Sequence, residues 1–125
     1  MVSLHNHLAL VTLRQGHGSL EQVSELLKTV YLTNYCDVAN TPEVAIETYL
    51  CAELALIECV KCISSEQVVQ LDQIQCGAIE KVLAVHDAQL ACLPRHRIDN
   101  TRKRLSQIMA QGKFPRLQGL AAPLD

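Results

Sequence analysis

Cys59-Val60-Lys61-Cys62 is the spacing that most invites a chemical reading, because a C-x-x-C pair can hold zinc or exchange disulfides. Structural zinc needs four ligands and so a second pair, which Cys36, Cys51, Cys76 and Cys92 do not supply. A redox pair belongs at a helix N-terminus, where the dipole stabilises a thiolate; this one falls at the C-terminal end of its helical segment. The six cysteines are therefore expected to act as small, reduced core residues.

The histidines offer little more. His5 and His7 would project about 200° apart on a helix and cannot converge on one ion. Cys92 and His96 lie a turn apart, but Pro94 interrupts the helix between them. His86 stands in the middle of an apolar stripe that also carries Gln75 and Gln89. These three are expected to form a buried polar cluster, bonded across the fold to a residue such as Asn34 or Tyr35. A metal-binding or enzymatic bundle centred on His86 is the third functional reading. Carboxylates that pair by spacing, Glu43 with Glu47 and Glu21 with Glu25, fall on solvated faces. No phosphate-binding loop, nucleophile elbow, H-E-x-x-H or E-x-x-H motif occurs. No catalytic residue, metal site or cofactor is assigned, and the chain is read as non-enzymatic.

The strongest positive signal is charge. Residues 1–94 carry four basic and eleven acidic side chains, a net −7; residues 95–116 carry seven basic side chains against Asp99, a net +6. Arg97, Arg104 and Gln111 recur every seven residues and, with His96, Asn100, Lys103 and Gln107, make a cationic, amide-rich face opposite Ile98, Leu105 and Ile108. Arg95, Arg97, Lys103, Arg104, Gln107 and Gln111 are the candidate partner-binding residues. Such asymmetry points to a docking end, unless the segment folds back and neutralises the acidic body.

Helical punctuation positions these residues. The expected helices span about 3–15, 19–39, 42–63, 65–93 and 95–111. Gly16-His17-Gly18 ends the first, whose apolar side is Leu4, Leu8, Val11 and Leu10. Ser19-Leu20-Glu21-Gln22 is a capping box opening the second, with Leu20, Val23, Leu27, Val30, Tyr31 and Asn34 on its stripe. Thr41 and Pro42 start the third. Its core sector is Ala45, Tyr49, Ala52, Leu56, Cys59 and Ile63, yet Ile46, Leu50, Leu54 and Ile57 lie in or beside its polar stripe. A helix apolar nearly all round is either central in its bundle or buries a second face against another subunit, so these four are the candidate self-association residues of a homodimer. Ser64 or Ser65 caps a long fourth helix with Val68, Leu71, Gln75, Ile79, Val82, His86, Gln89 and Leu93 in its stripe; Gly77, opposite, marks a bend or a close crossing. Pro94 separates the fifth helix, and Gly112 ends it.

The fold class is therefore all-α: a single-domain antiparallel bundle of four to five helices over residues 1–112 with short loops, followed by a tail, 113–125, that is partly mobile. The length, 125 residues, suits one domain, and 49% hydrophobic residues exclude a disordered chain. No 18-residue apolar run free of charge occurs, and no basic, then apolar, leader precedes the first helix, so no membrane span and a cytoplasmic location are expected. The favoured function is a non-enzymatic adaptor, inhibitor or regulator that binds another protein through the basic C-terminal helix. The alternative is a small nucleic-acid-binding regulator using the same helix. Against that stand an isoelectric point near 6.2 and the lack of Trp, with one Phe and three Tyr.

Overall fold

The computed structural model describes residues 2–39 and 45–111, which form five helices and no strand among the described residues: α1 (Val2–Arg14), α2 (Leu20–Ala39), α3 (Ile46–Ser64), α4 (Gln73–Cys92) and α5 (Arg95–Ala110). The expected cap at Thr41-Pro42 and the tail at 113–125 lie outside the described residues.

Helix α2 is the axis of the bundle and packs against all four others. Val23, Leu26, Leu27, Val30, Tyr31, Leu32 and Cys36 are buried there, together with Thr29, Thr33 and Asn34, so almost its whole circumference is covered. Of the two roles open to the apolar circumference of α3, the central one is taken by α2. The direction of each pair follows from its contacts and from the short connections between helices. Asn6 meets Thr29 and Tyr31 meets Glu53, each contact lying about two turns from the short connection on both helices, so α1 and α3 both run antiparallel to α2. His7 faces Asp87 and Arg14 faces Glu80, two turns on in each helix and in opposite directions, so α1 and α4 are antiparallel as well.

Local chemistry fixes the boundaries. The Ser19 box forms as expected: the Gln22 amide donates to Ser19 Oγ at 3.2 Å, and the Ser19 amide donates to Gln22 Oε1 at 3.1 Å. Gly16, at φ 81°, closes α1 with paired bonds from the Gly16 and His17 amides to the Leu13 and Thr12 carbonyls. The same motif closes α3, where the Glu66 and Gln67 amides donate to the Ile63 and Cys62 carbonyls. Here the left-handed position, φ 57°, is held by Glu66, which has a Cβ to accommodate.

That closure corrects the expected start of the fourth helix. With Glu66 left-handed the chain cannot continue helically, and α4 begins only at Gln73, capped by Asp72. The Gln75 amide donates to Asp72 Oδ1 at 2.7 Å and the Asp72 amide to Gln75 Oε1 at 3.0 Å, a reciprocal capping box. Gln75 is thus a cap and no member of a buried cluster, and Val68, expected in the core, is 70% exposed while Val69 is buried. Helix α1 is also turned from expectation. Asn6, Ala9, Leu10 and Leu13 face inward while Leu8 and Val11 are exposed, so the buried stripe runs through Leu10 and Leu13. Nothing lies within 4 Å of a Cβ built on Gly77, so it marks no close crossing.

Candidate interaction surface

Helix α5 lies along α2 on Ile98, Thr101 and Leu105, with Ile108 and Met109 half-buried beside them. That apolar stripe turns the opposite side of the helix to solvent. Arg95, Arg97, Lys103, Arg104, Gln107 and Gln111 are all exposed. Ion pairs among the described residues join His7 to Asp87, Arg14 to Glu80, Lys28 to Glu25 and Lys61 to Glu58; none uses a side chain of α5.

The placement of these charges is locally unfavourable. Arg95, His96 and Arg97 occupy the first turn of α5, which has no acidic residue, and its N-cap, Pro94, makes no side-chain capping bond. A helix N-terminus carries partial positive charge, so a cation there costs about 0.3–1 kcal/mol where an anion would gain as much. Departures from such local rules are expected at functional or strained positions.

Arg102 is the exception on α5. Its half-buried guanidinium turns inward, and Nη2 donates to His86 Nε2 at 3.2 Å. His86 is fully buried, so its partner is Arg102, in place of the expected Asn34 or Tyr35. Burial first, and the adjacent Arg102 charge second, push its pKa down to about 4. The imidazole is neutral at pH 7. Since Nε2 accepts, the ring proton sits on Nδ1, which is buried without a hydrogen-bond partner among the described residues. Burial also lowers the pKa of Arg102, against the raising influence of Glu25 and Asp99. Gln89 reaches α2 as a cross-helix tie: its Nε2 donates to the Thr33 carbonyl at 3.0 Å.

Arg102 also lines an open cavity of about 470 Å³ between α1, α2 and α5, with Asn6, Glu21 and Glu25 around it. A second groove of about 370 Å³, between Leu20 and Lys28 of α2, Val60 of α3 and Met109 of α5, lies beside the C-terminal end of α5.

The self-association candidates fall on one side of α3. Ile46 is 47% and Leu54 51% exposed, while Leu50 and Ile57 are half-buried and touch the core. One residue of α3 escaped the sequence reading. Glu53 is fully buried and accepts a 2.8 Å hydrogen bond from the Tyr31 hydroxyl. None of the six cysteines forms a disulfide. Burial pushes the Cys59 thiol up to about 11, with Cys62, Cys76 and Glu58 adding to it, so at neutral pH it is a protonated core group. No group of three or more His, Cys, Asp or Glu that could hold a metal ion occurs among the described residues, and none of their helices is long and apolar enough to cross a membrane. Comparison with known proteins finds no family model that matches the chain, and no curated protein or solved structure similar to it.

Proposed function

We propose that the chain is a non-enzymatic interaction protein whose α5 docks an acidic surface of another protein. One observation carries this reading: Arg95, Arg97, Lys103 and Arg104 stand exposed on one helix, paired with no carboxylate among the described residues, although the rest of the chain is acidic. Cations that pair with no carboxylate among the described residues are available to a partner. Opposite potentials then steer the encounter and select against cationic competitors. Gln107 and Gln111 add directional hydrogen bonds to that face. Burial of Ile98, Thr101 and Leu105 anchors the helix, so the docking surface is presented on a rigid element.

The test is affinity capture from the native host with wild type and with Arg97→Glu/Lys103→Glu/Arg104→Glu. The expected result is a stoichiometric acidic protein that survives nuclease treatment, is released by salt and is absent with the reversed face. Material that nuclease destroys would assign the same face to nucleic acid, whose phosphates Arg and Lys neutralise and whose base edges Asn and Gln read. Capture unchanged by the reversal would remove α5 from the account.

A second copy of the chain is a further partner this chemistry fits, through Ile46, Leu50, Leu54 and Ile57. What favours it is the exposure of two large aliphatic side chains, Ile46 and Leu54, on a helix whose other side already fills the core.

A further inference from the structure

Glu47, Leu54 and Lys61 follow one another at intervals of seven along α3, with Leu50 and Ile57 between them at steps of three and four. A straight helix drifts only about 20° per seven residues, so the three share one edge of the exposed stripe and Leu50 and Ile57 border it. Glu47 and Lys61 are both exposed; Leu54, the most exposed large apolar residue of α3, is the midpoint between them.

This pattern is self-complementary in one orientation only. A two-fold axis requires that the same patch serve both subunits, residue i meeting j while j meets i. Laying a second α3 antiparallel over the first, with the axis at Leu54, brings each Leu54 onto the other. Each Glu47 then meets the other subunit's Lys61, about 10 Å of helix from the axis on either side. A parallel pairing would set Glu47 on Glu47 and Lys61 on Lys61. Lys61 does have a partner of its own, Glu58 at 3.5 Å, but both side chains are well exposed and such a pair holds weakly.

We propose that α3 pairs with α3 of a second copy of this chain in antiparallel register, with Leu54 at the two-fold axis and Glu47–Lys61 ion pairs at both ends. The proposal rests on the self-association reading above and adds its geometry. Glu47 in the first turn and Lys61 in the last also suit the dipole of their own helix. The two explanations part in the double reversal. On dipole grounds Glu47→Lys/Lys61→Glu is the worst variant, whereas across the axis it rebuilds both ion pairs.

Sedimentation equilibrium from micromolar to several hundred micromolar separates the outcomes, with circular dichroism confirming helix content. Wild type is expected to dimerise, and Leu54→Glu to remain monomeric. Glu47→Lys and Lys61→Glu are each expected to weaken the dimer about tenfold, since each reversal replaces two weak attractions by two repulsions. The double reversal is expected to return to within about threefold of wild type. Should a reversal disturb the helix, Glu47→Gln and Lys61→Gln give the same ordering at smaller amplitude. A wild type monomeric throughout would overturn self-association itself. A dimer indifferent to the single reversals, or weakest in the double one, would overturn the antiparallel register alone.

Discussion

Arg102 Nη2 lies 3.2 Å from His86 Nε2, so the inward-facing cation of α5 caps a fully buried neutral imidazole of α4. This contact ties α5 to the bundle, and the burial of His86, with the Arg102 charge adding to it, makes stability depend on pH. The folded pKa, about 4, is below the ordinary histidine value of 6.5. Above about pH 6.5 the ring is neutral in both states and contributes no pH dependence. As pH falls from 6.5 towards 4 the unfolded chain takes up a proton that the folded one refuses, at a cost of roughly 3 kcal/mol once the lower value is reached. Urea denaturation of wild type and His86→Gln at pH 7 and pH 4 isolates the effect. Wild type is expected to lose that much more stability than the variant; equal losses would mean a hydrated ring.

Replacing Arg102 by Leu removes the second cause of the depression and leaves burial. The His86 pKa is expected to rise from about 4 while staying below 6.5, as read from its ring proton shifts. A value that does not move would mean the guanidinium is screened from the imidazole.

Tyr31 and Glu53 make a buried bond between α2 and α3. Tyr31→Phe keeps the ring and deletes the donor, leaving a buried carboxyl short of one hydrogen bond. A loss of about 1–3 kcal/mol in unfolding free energy is expected; no loss would mean that water replaces the hydroxyl.

What could be read from sequence and what could not follow from the range of the forces involved. The all-helical class, the Ser19 box, the stop at Pro94 and the inward Ile98–Leu105 stripe of α5 are local or periodic, and all are visible in the chain itself. Asp72-Gln75 has capping chemistry as good as that of Ser64 or Ser65. The apolar spacing of Val68 and Leu71 favoured the earlier start, and only the left-handed Glu66 decides between them. Glu53 escaped because a carboxylate in a helix is ordinarily solvated; its partner is 22 positions away. The inward turn of Arg102 escaped for a similar reason, since it depends on where α4 places His86. The exposure of Arg95, Arg97, Lys103 and Arg104 follows directly from the period of the helix that carries them.

Two substitutions should stabilise the fold. Glu66→Gly relieves the left-handed backbone at the end of α3 and is expected to gain about 0.5–1 kcal/mol. Gly77→Ala, in open space within α4, is expected to gain up to about 1 kcal/mol from helix propensity. Thermal denaturation checks both; a loss at Gly77 would mean that something packs on that face.

The central claim is that the outer face of α5 is unused by the fold and serves a partner. Its most direct test is the unfolding free energy of Arg95→Gln/Arg97→Gln/Lys103→Gln/Arg104→Gln, measured beside its capture of the acidic partner. The account predicts that stability is kept to within about 0.5 kcal/mol per site, or raised slightly as the first turn of α5 loses its misplaced cations, while capture is lost. A large fall in stability, or capture that persists, would contradict it: the first would mean these side chains serve the protein's own carboxylates, and the second that the partner binds elsewhere.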